Sequence, residues 1–297
     1  MSGATAALFA AVLWVFAYRT AAVKRSRGTR NGGGPAIPGS IWNSPGTTDT
    51  LSATIMSKQA RSYFQRPQPY RRRTQRPLNC LLWLLPMLLV FHLGSLWWRT
   101  DLLAWRDIHW VLRFFGAAAP YLPPAVLVIV LLIQHGARRD PWEFDALTLA
   151  GMMIESCLAI VPLIAIDHLT ARLPLQAASA PASSLAQQIV AGVGAGVYEE
   201  FVFRMVLIGL AFLLFVDLLD LDRHVVGTVA ILLSAAAFSL YHFSRQQIGG
   251  TVPFPWSDFV HHALAGAYLG AVYVTRGLGI AAGAHAFYNV FVSLTAG

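Results

Sequence analysis

Charged residues are scarce in this chain. They make up 12% of its 297 residues, about half the share found in an average soluble domain. Hydrophobic residues make up 56%, and the mean hydropathy is +0.54. This balance excludes an ordinary soluble protein and predicts an integral, multi-pass membrane protein.

Cysteine is almost absent. Cys80 and Cys157 both lie in apolar segments, where a thiol behaves as a small hydrophobe, so neither a disulfide framework nor a cysteine metal site is predicted. The net charge of +8 comes from arginines that crowd the N-terminal quarter and flank apolar runs. This distribution is typical of the cytoplasmic flanks of membrane helices, so we predict membrane lipids as partners and no nucleic acid.

The first 78 residues hold few apolar side chains outside one short run. Residues 1–78 are predicted to form a basic, largely disordered tail, with a short anchor helix at 4–18. Met56 is an alternative start, because Ser57 and Lys58 after it resemble an ordinary cytoplasmic beginning.

Apolar segments long enough to cross a bilayer follow in succession from residue 79. They predict an all-α, polytopic transmembrane bundle over 79–297 with about seven spanning helices: 79–98, 118–134, 145–166, 187–216, 225–243, 259–275 and 277–294. The arginines at 71–73 and at 138–139 place the N-terminal end of the first span in the cytoplasm by the positive-inside rule.

The run VYEEFVFRMVL, residues 197–207, puts three ionisable side chains in the middle of the fourth span. Each costs about 2.5 to 3.5 kcal/mol at mid-membrane, which indicates a function. Glu200 and Arg204 are four residues apart and can neutralise each other on one helix face. Glu199 lies about 140° round the helix from Arg204, so it is free to point into a cavity as a general base.

Later spans carry further polar side chains at helical spacing. His242 follows Phe238 by four residues, and His285 precedes Asn289 by four in the last span. Polar groups in hydrocarbon need partners, so these side chains are predicted to share one cavity with Glu199. For Glu155 a structural and a functional role remain equally open. The adjacent histidines His261 and His262 could line the cavity entrance or lie at the membrane interface, and the interface is favoured. Three glycine pairs spaced four apart predict close helix packing around the cavity: 192 with 196, 266 with 270, and 279 with 283.

Three motifs occur in order on successive helices: EExxxR, FxxxH and HxxxN. Together they resemble the CPBP intramembrane proteases, the family of the type II CAAX prenyl endopeptidase and of bacteriocin-processing proteins, formerly called Abi. The resemblance covers a core at 145–294 and implies a peptide hydrolase. It implies that Glu199 and His242 activate a water, that His285 and Asn289 stabilise the oxyanion, and that supporting roles fall to the remaining motif residues, Glu200, Arg204 and Phe238.

Several alternatives remain open. Glutamate and two histidines could hold Zn²⁺, but the chain lacks HExxH and Asn289 is an unusual zinc ligand, which favours a mechanism without a cofactor. A transporter is a weaker alternative, because no inverted repeat is visible, and a non-catalytic immunity or binding protein is another. The expected partner is a membrane-presented peptide or protein substrate, with or without a lipid modification, and the expected location is the bacterial inner membrane.

Overall fold

The computed structural model describes residues 69–98, 122–171 and 184–295. The predicted anchor helix at 4–18 and most of the predicted tail lie outside these residues. Where the tail approaches the first span, Tyr70–Thr74 is helical, so ordered structure begins several residues before 79.

The predicted all-α membrane bundle is confirmed, since helices and no strands are present in the described ranges. There are nine helices in these ranges, including two short ones: α1 (Tyr70–Thr74), α2 (Pro77–Trp97), α3 (Leu122–Arg138), α4 (Ala146–Leu158 and Ile160–Ala171), α5 (Leu185–Leu218), α6 (Arg223–Tyr241), α7 (Arg245–Ile248), α8 (Trp256–Arg276) and α9 (Leu278–Thr295). The seven long helices correspond to the seven predicted spans.

Five of these helices are long and apolar enough to cross a membrane: α2, α4, α5, α6 and α9. Helix α3 has 17 residues, which is short for a span, and α8 has 21 residues but carries polar side chains at both ends. Large apolar side chains, such as Leu147 and Leu232, are exposed on the outer faces of the helices. An apolar exterior of this kind fits lipid as the surrounding solvent.

Helix α9 lies at the centre of the bundle, where every residue from Leu278 to Ala286 is buried. The predicted glycine pairs make this possible. A Cβ at Gly196 would lie 2.5 Å from the backbone nitrogen of Ala286, and one at Gly283 would lie 2.5 Å from Ser156 Oγ. Only glycine permits such close approach, so α5 and α4 both pack directly against α9.

Arginines gather where α2, α4 and α9 begin and α3 and α8 end. Arg73 forms a 2.7 Å ion pair with Asp145, the residue that caps α4. Arg138 Nη1 donates to the carbonyl oxygen of Gln75 at 2.7 Å, and Arg71 Nε donates to that of Thr275 at 3.0 Å. We call this side of the bundle the arginine end.

Two polar interactions complete the arginine end. Hydrogen bonds from Thr148 and the Arg73 guanidinium lower the pKa of the Asp145 carboxyl to about 2, so this residue is ionised. Glu155, whose role the sequence left open, forms a two-bond ion pair with Arg276 across α4 and α8. Its position is therefore structural.

The positive-inside rule predicts that the arginine end faces the cytoplasm. In a Cys157→Ser background, Glu143→Cys marks this end and Gln246→Cys, on α7, marks the other. We expect a membrane-impermeant maleimide to label Gln246→Cys in intact cells and Glu143→Cys only after permeabilisation. The reverse pattern would show the opposite orientation.

Candidate active site

The candidate site is a cavity of about 150 Å³ between α4, α5, α6, α8 and α9. Its lining includes all four predicted catalytic residues: Glu199, His242, His285 and Asn289. The structure therefore brings together side chains that the sequence could place only on separate helices. Their catalytic roles remain predictions.

The carboxylates of the EExxxR motif face different partners. Glu200 and Arg204 are fully buried, and Oε2 of Glu200 lies 3.1 Å from Nε of Arg204. The predicted contact between them is present. Glu199 is 5% exposed and lies on the cavity wall, where its Oε2 is 3.8 Å from Nε2 of His285.

Helix α5 changes its winding directly after this pair. From Phe201 to Ile208 the helix is π-helical, with a wider turn than an α-helix. The α-helical periodicity used to place Glu199 relative to Arg204 therefore does not hold beyond Glu200. Such widened segments occur frequently at functional sites, where they re-aim side chains.

Arg204 is held by three groups. Besides the Glu200 carboxylate, Arg204 Nη2 donates to the carbonyl oxygen of Gly266 at 3.1 Å. Its guanidinium lies 4.5 Å from the ring centroid of Phe238, a cation–π contact. Phe238 thus joins α6 to the charged cluster, and its supporting role stays a prediction.

His285 connects the two glutamates. Its Nδ1 lies 2.9 Å from Oε1 of Glu200, while its Nε2 faces Glu199. Four-residue spacing predicts Arg204 as the partner of Glu200, because helical spacing reveals neighbours within one helix only. Glu200 in fact bridges Arg204 and His285 and so fixes the orientation of the His285 ring.

His242 caps the C-terminal end of α6, and its Nδ1 lies 2.8 Å from the carbonyl oxygen of Phe238. A carbonyl oxygen only accepts, so Nδ1 carries a proton and the Nε2 of a neutral ring offers a lone pair.

Asn289 Nδ2 donates to the carbonyl oxygen of Gly192 at 3.1 Å. This bond uses one of the two N–H groups of the amide and leaves the other available to a substrate.

His261 and His262, for which the sequence favoured the membrane interface over the cavity entrance, both line the cavity from the first two turns of α8. The ring of His262 stacks on that of His242, with centroids 4.3 Å apart and planes inclined by 21°. Tyr288, for which the sequence predicted no role, also lines the cavity. It directly precedes Asn289, but nothing in its spacing distinguished it from an ordinary core aromatic.

The arrangement of donor atoms bears on the zinc alternative. Within the described residues, no three His, Cys, Asp or Glu side chains converge as ligands of one metal ion. Glu200 contacts Nδ1 of His285 and a backbone carbonyl contacts Nδ1 of His242, but histidines that bind a metal through Nε2 commonly make such contacts, so they do not distinguish the two mechanisms. A mechanism without a cofactor stays a prediction, and no step of the proposed reaction uses a metal.

Residues 181–291 match the family model described as Type II CAAX prenyl endopeptidase Rce1-like. The match contains all three motifs and covers α5 to most of α9. It agrees with the resemblance to the CAAX proteases, because this segment of the chain is similar to the Rce1-like model. The match leaves out α4, although α4 contributes Leu163 to the cavity. No curated protein and no solved structure matches the chain.

Removing the charge of Glu200 should destabilise the protein. Glu200→Gln leaves the buried Arg204 guanidinium without its anion, and we expect a loss of about 3 to 5 kcal/mol in the free energy of unfolding. Denaturant unfolding of the purified protein in detergent micelles measures this loss.

The matched control is Glu143→Gln, in an exposed loop at the arginine end. Its free energy of unfolding should change by less than about 0.5 kcal/mol. Equal stability of the two variants would show that the Glu200–Arg204 pair does not support the fold.

Proposed function

We propose that this protein is an intramembrane endopeptidase that hydrolyses a peptide bond with a water activated by Glu199 and His242. The observation that carries the proposal is the convergence of Glu199, His242, His285 and Asn289 on one cavity. The Rce1-like match implies a peptidase acting on a protein substrate at the membrane.

Glu199 is suited to act as the general base. Its carboxylate lies on the cavity wall, whereas the Glu200 carboxylate is fully buried and engaged by Arg204 and His285. In the proposed first step, Glu199 takes one proton from a water whose other hydrogen is accepted by Nε2 of His242. The hydroxide oxygen then bonds to the scissile carbonyl carbon, and the carbonyl oxygen becomes an oxyanion.

Two N–H donors can stabilise the oxyanion by hydrogen bonding. One is the N–H of Asn289 that does not bind Gly192. The other is Nε2–H of His285, which requires the ring to be an imidazolium, because its Nδ1 proton is directed at Glu200. Donors held in position before the reaction stabilise the charge that develops on the carbonyl oxygen.

In the second step the tetrahedral intermediate collapses and the C–N bond breaks. The leaving nitrogen takes the proton held by Glu199, which restores the carboxylate, and the products are a new carboxyl group and an amine. No covalent nucleophile is needed. Ser239, three residues before His242, donates its hydroxyl to the carbonyl oxygen of Phe259 at 2.7 Å, so it is already engaged.

The position of the cavity suggests where the substrate comes from. His242, His261 and His262 lie where α6 ends and α8 begins, on the opposite side of the bundle from the arginine end. We propose that the cavity opens away from the cytoplasm of a bacterial inner membrane. Segments of exported or membrane-anchored proteins would then be favoured as substrates over cytoplasmic CAAX proteins.

The test compares membranes from cells that produce the wild-type protein, Glu199→Ala or His242→Ala. Quantitative mass spectrometry of protein termini should reveal new termini with the wild type that are absent with both variants, because each variant lacks a group that activates the water. His224→Ala, an exposed histidine at the arginine end, is the control and should give the wild-type termini.

Equal expression of all four proteins is verified by immunoblotting. The same termini in wild type, Glu199→Ala and His242→Ala would contradict the protease proposal. A membrane protein with this scaffold but no catalysis would then be the better account.

A further inference from the structure

His262 takes no part in the mechanism above, yet its ring lies flat against His242. The two rings come from different helices, His242 from the end of α6 and His262 from the second turn of α8. Their centroids are 4.3 Å apart and their planes are inclined by 21°. Face-to-face contact of this kind restricts the tilt of each ring.

His262 is itself fixed. Its Nδ1 lies 2.7 Å from the carbonyl oxygen of Asp258, one turn earlier in α8. Because that oxygen only accepts, the Nδ1 proton is committed to it, and the neutral ring has the same tautomer as His242. The ring therefore cannot rotate without losing a hydrogen bond.

A third histidine, His261, contacts the ring of His262. The ring of His261 meets His262 edge-on, with centroids 5.3 Å apart and planes at 87°. Nδ1 of His261 lies 2.8 Å from Oγ1 of Thr170, a buried residue near the end of α4. Thr170 Oγ1 also lies 2.8 Å from the carbonyl oxygen of Ile166, which ties this hydroxyl to its own helix. We call His261, His262 and His242 the histidine row.

The row connects three helices in sequence: α4 through Thr170, α8 through His261 and His262, and α6 through His242. Of these, α4 lies outside the residues that match the Rce1-like model. The first part of the chain is thereby linked to a residue of the candidate active site. From its own helix, His242 is contacted by Phe238, through the hydrogen bond to the Phe238 carbonyl oxygen and through an edge-on ring contact with centroids 4.9 Å apart.

We propose that His262 is a positioning residue: by stacking, it holds the His242 ring in the orientation that presents Nε2 to the water, and the histidine row anchors it to α4. His262 acts through His242 and does not touch the reacting atoms. The inference rests on the proposed protease function for its kinetic consequence, but the stacking itself can be tested without a substrate.

The kinetic test uses a peptide substrate identified from the terminus analysis, with purified protein in detergent micelles. His262→Ala removes the stacked ring and should lower kcat about 10- to 100-fold, because misplacing a catalytic group by about 1 Å has effects of this size. KM should change less than about threefold, since in the proposed role His262 acts by orienting His242. His262→Phe retains a flat ring and should recover most of the lost kcat.

His262→Phe also separates stacking from direct proton transfer. If His262→Phe is as slow as His262→Ala, a stacked ring does not suffice to position His242 and the proposal is overturned. Unchanged kcat in His262→Ala overturns it as well. Thermal unfolding of both variants, with His224→Ala as the control, excludes loss of kcat through misfolding.

A second readout needs no activity. Diethyl pyrocarbonate modifies neutral imidazole, and mass spectrometry of peptides reports its rate at His242. We expect this rate to rise several-fold in His262→Ala and to stay near the wild-type value in His262→Phe. An unchanged rate in His262→Ala would overturn the stacking proposal. Altered modification in a protein without any cleavage would instead retain the stacking and reject the protease function.

Discussion

The buried ion pair between Glu200 and Arg204 is the interaction on which the rest of the site depends. Both side chains are fully buried, in a helix that is otherwise apolar enough to span the membrane. An isolated charge there would be costly, so each must be matched by a partner. The Glu200 carboxylate meets this requirement by contacting Arg204 and His285 together. The pair neutralises charge and also orients the histidine of the last helix, which leaves Glu199 as the carboxylate facing the cavity.

Close packing of α9 supplies the other constraint. Glycines at 192, 196 and 283 remove the side chains that would otherwise separate α9 from its neighbours. As a result, α9 carries His285 and Asn289 directly beside α5. Polar groups and small residues therefore both favour close packing of the helices. Hydrocarbon offers the polar groups no partner except one another, and the small residues let the helix backbones approach.

Part of this arrangement could be predicted from the sequence. Length and hydropathy located all seven long helices, and the four-residue spacing predicted the contact between Glu200 and Arg204. Contacts between helices were beyond that reasoning, since spacing describes only one helix at a time. The bond from Glu200 to His285, the pair of Glu155 with Arg276 and the stacking of His262 on His242 all join distant parts of the chain. The π-helical winding after Glu200 was missed because apolar periodicity does not distinguish it from an α-helix.

The central claim is that Glu199 activates water without a metal ion. The most direct measurement is peptide cleavage by purified wild-type and Glu199→Gln proteins after exhaustive chelation, with zinc added back in steps and bound metal quantified by elemental analysis. The account predicts an undiminished rate for chelated wild-type protein and no cleavage by Glu199→Gln at any zinc concentration. Loss of wild-type activity on chelation, with recovery at one equivalent of zinc, would contradict it.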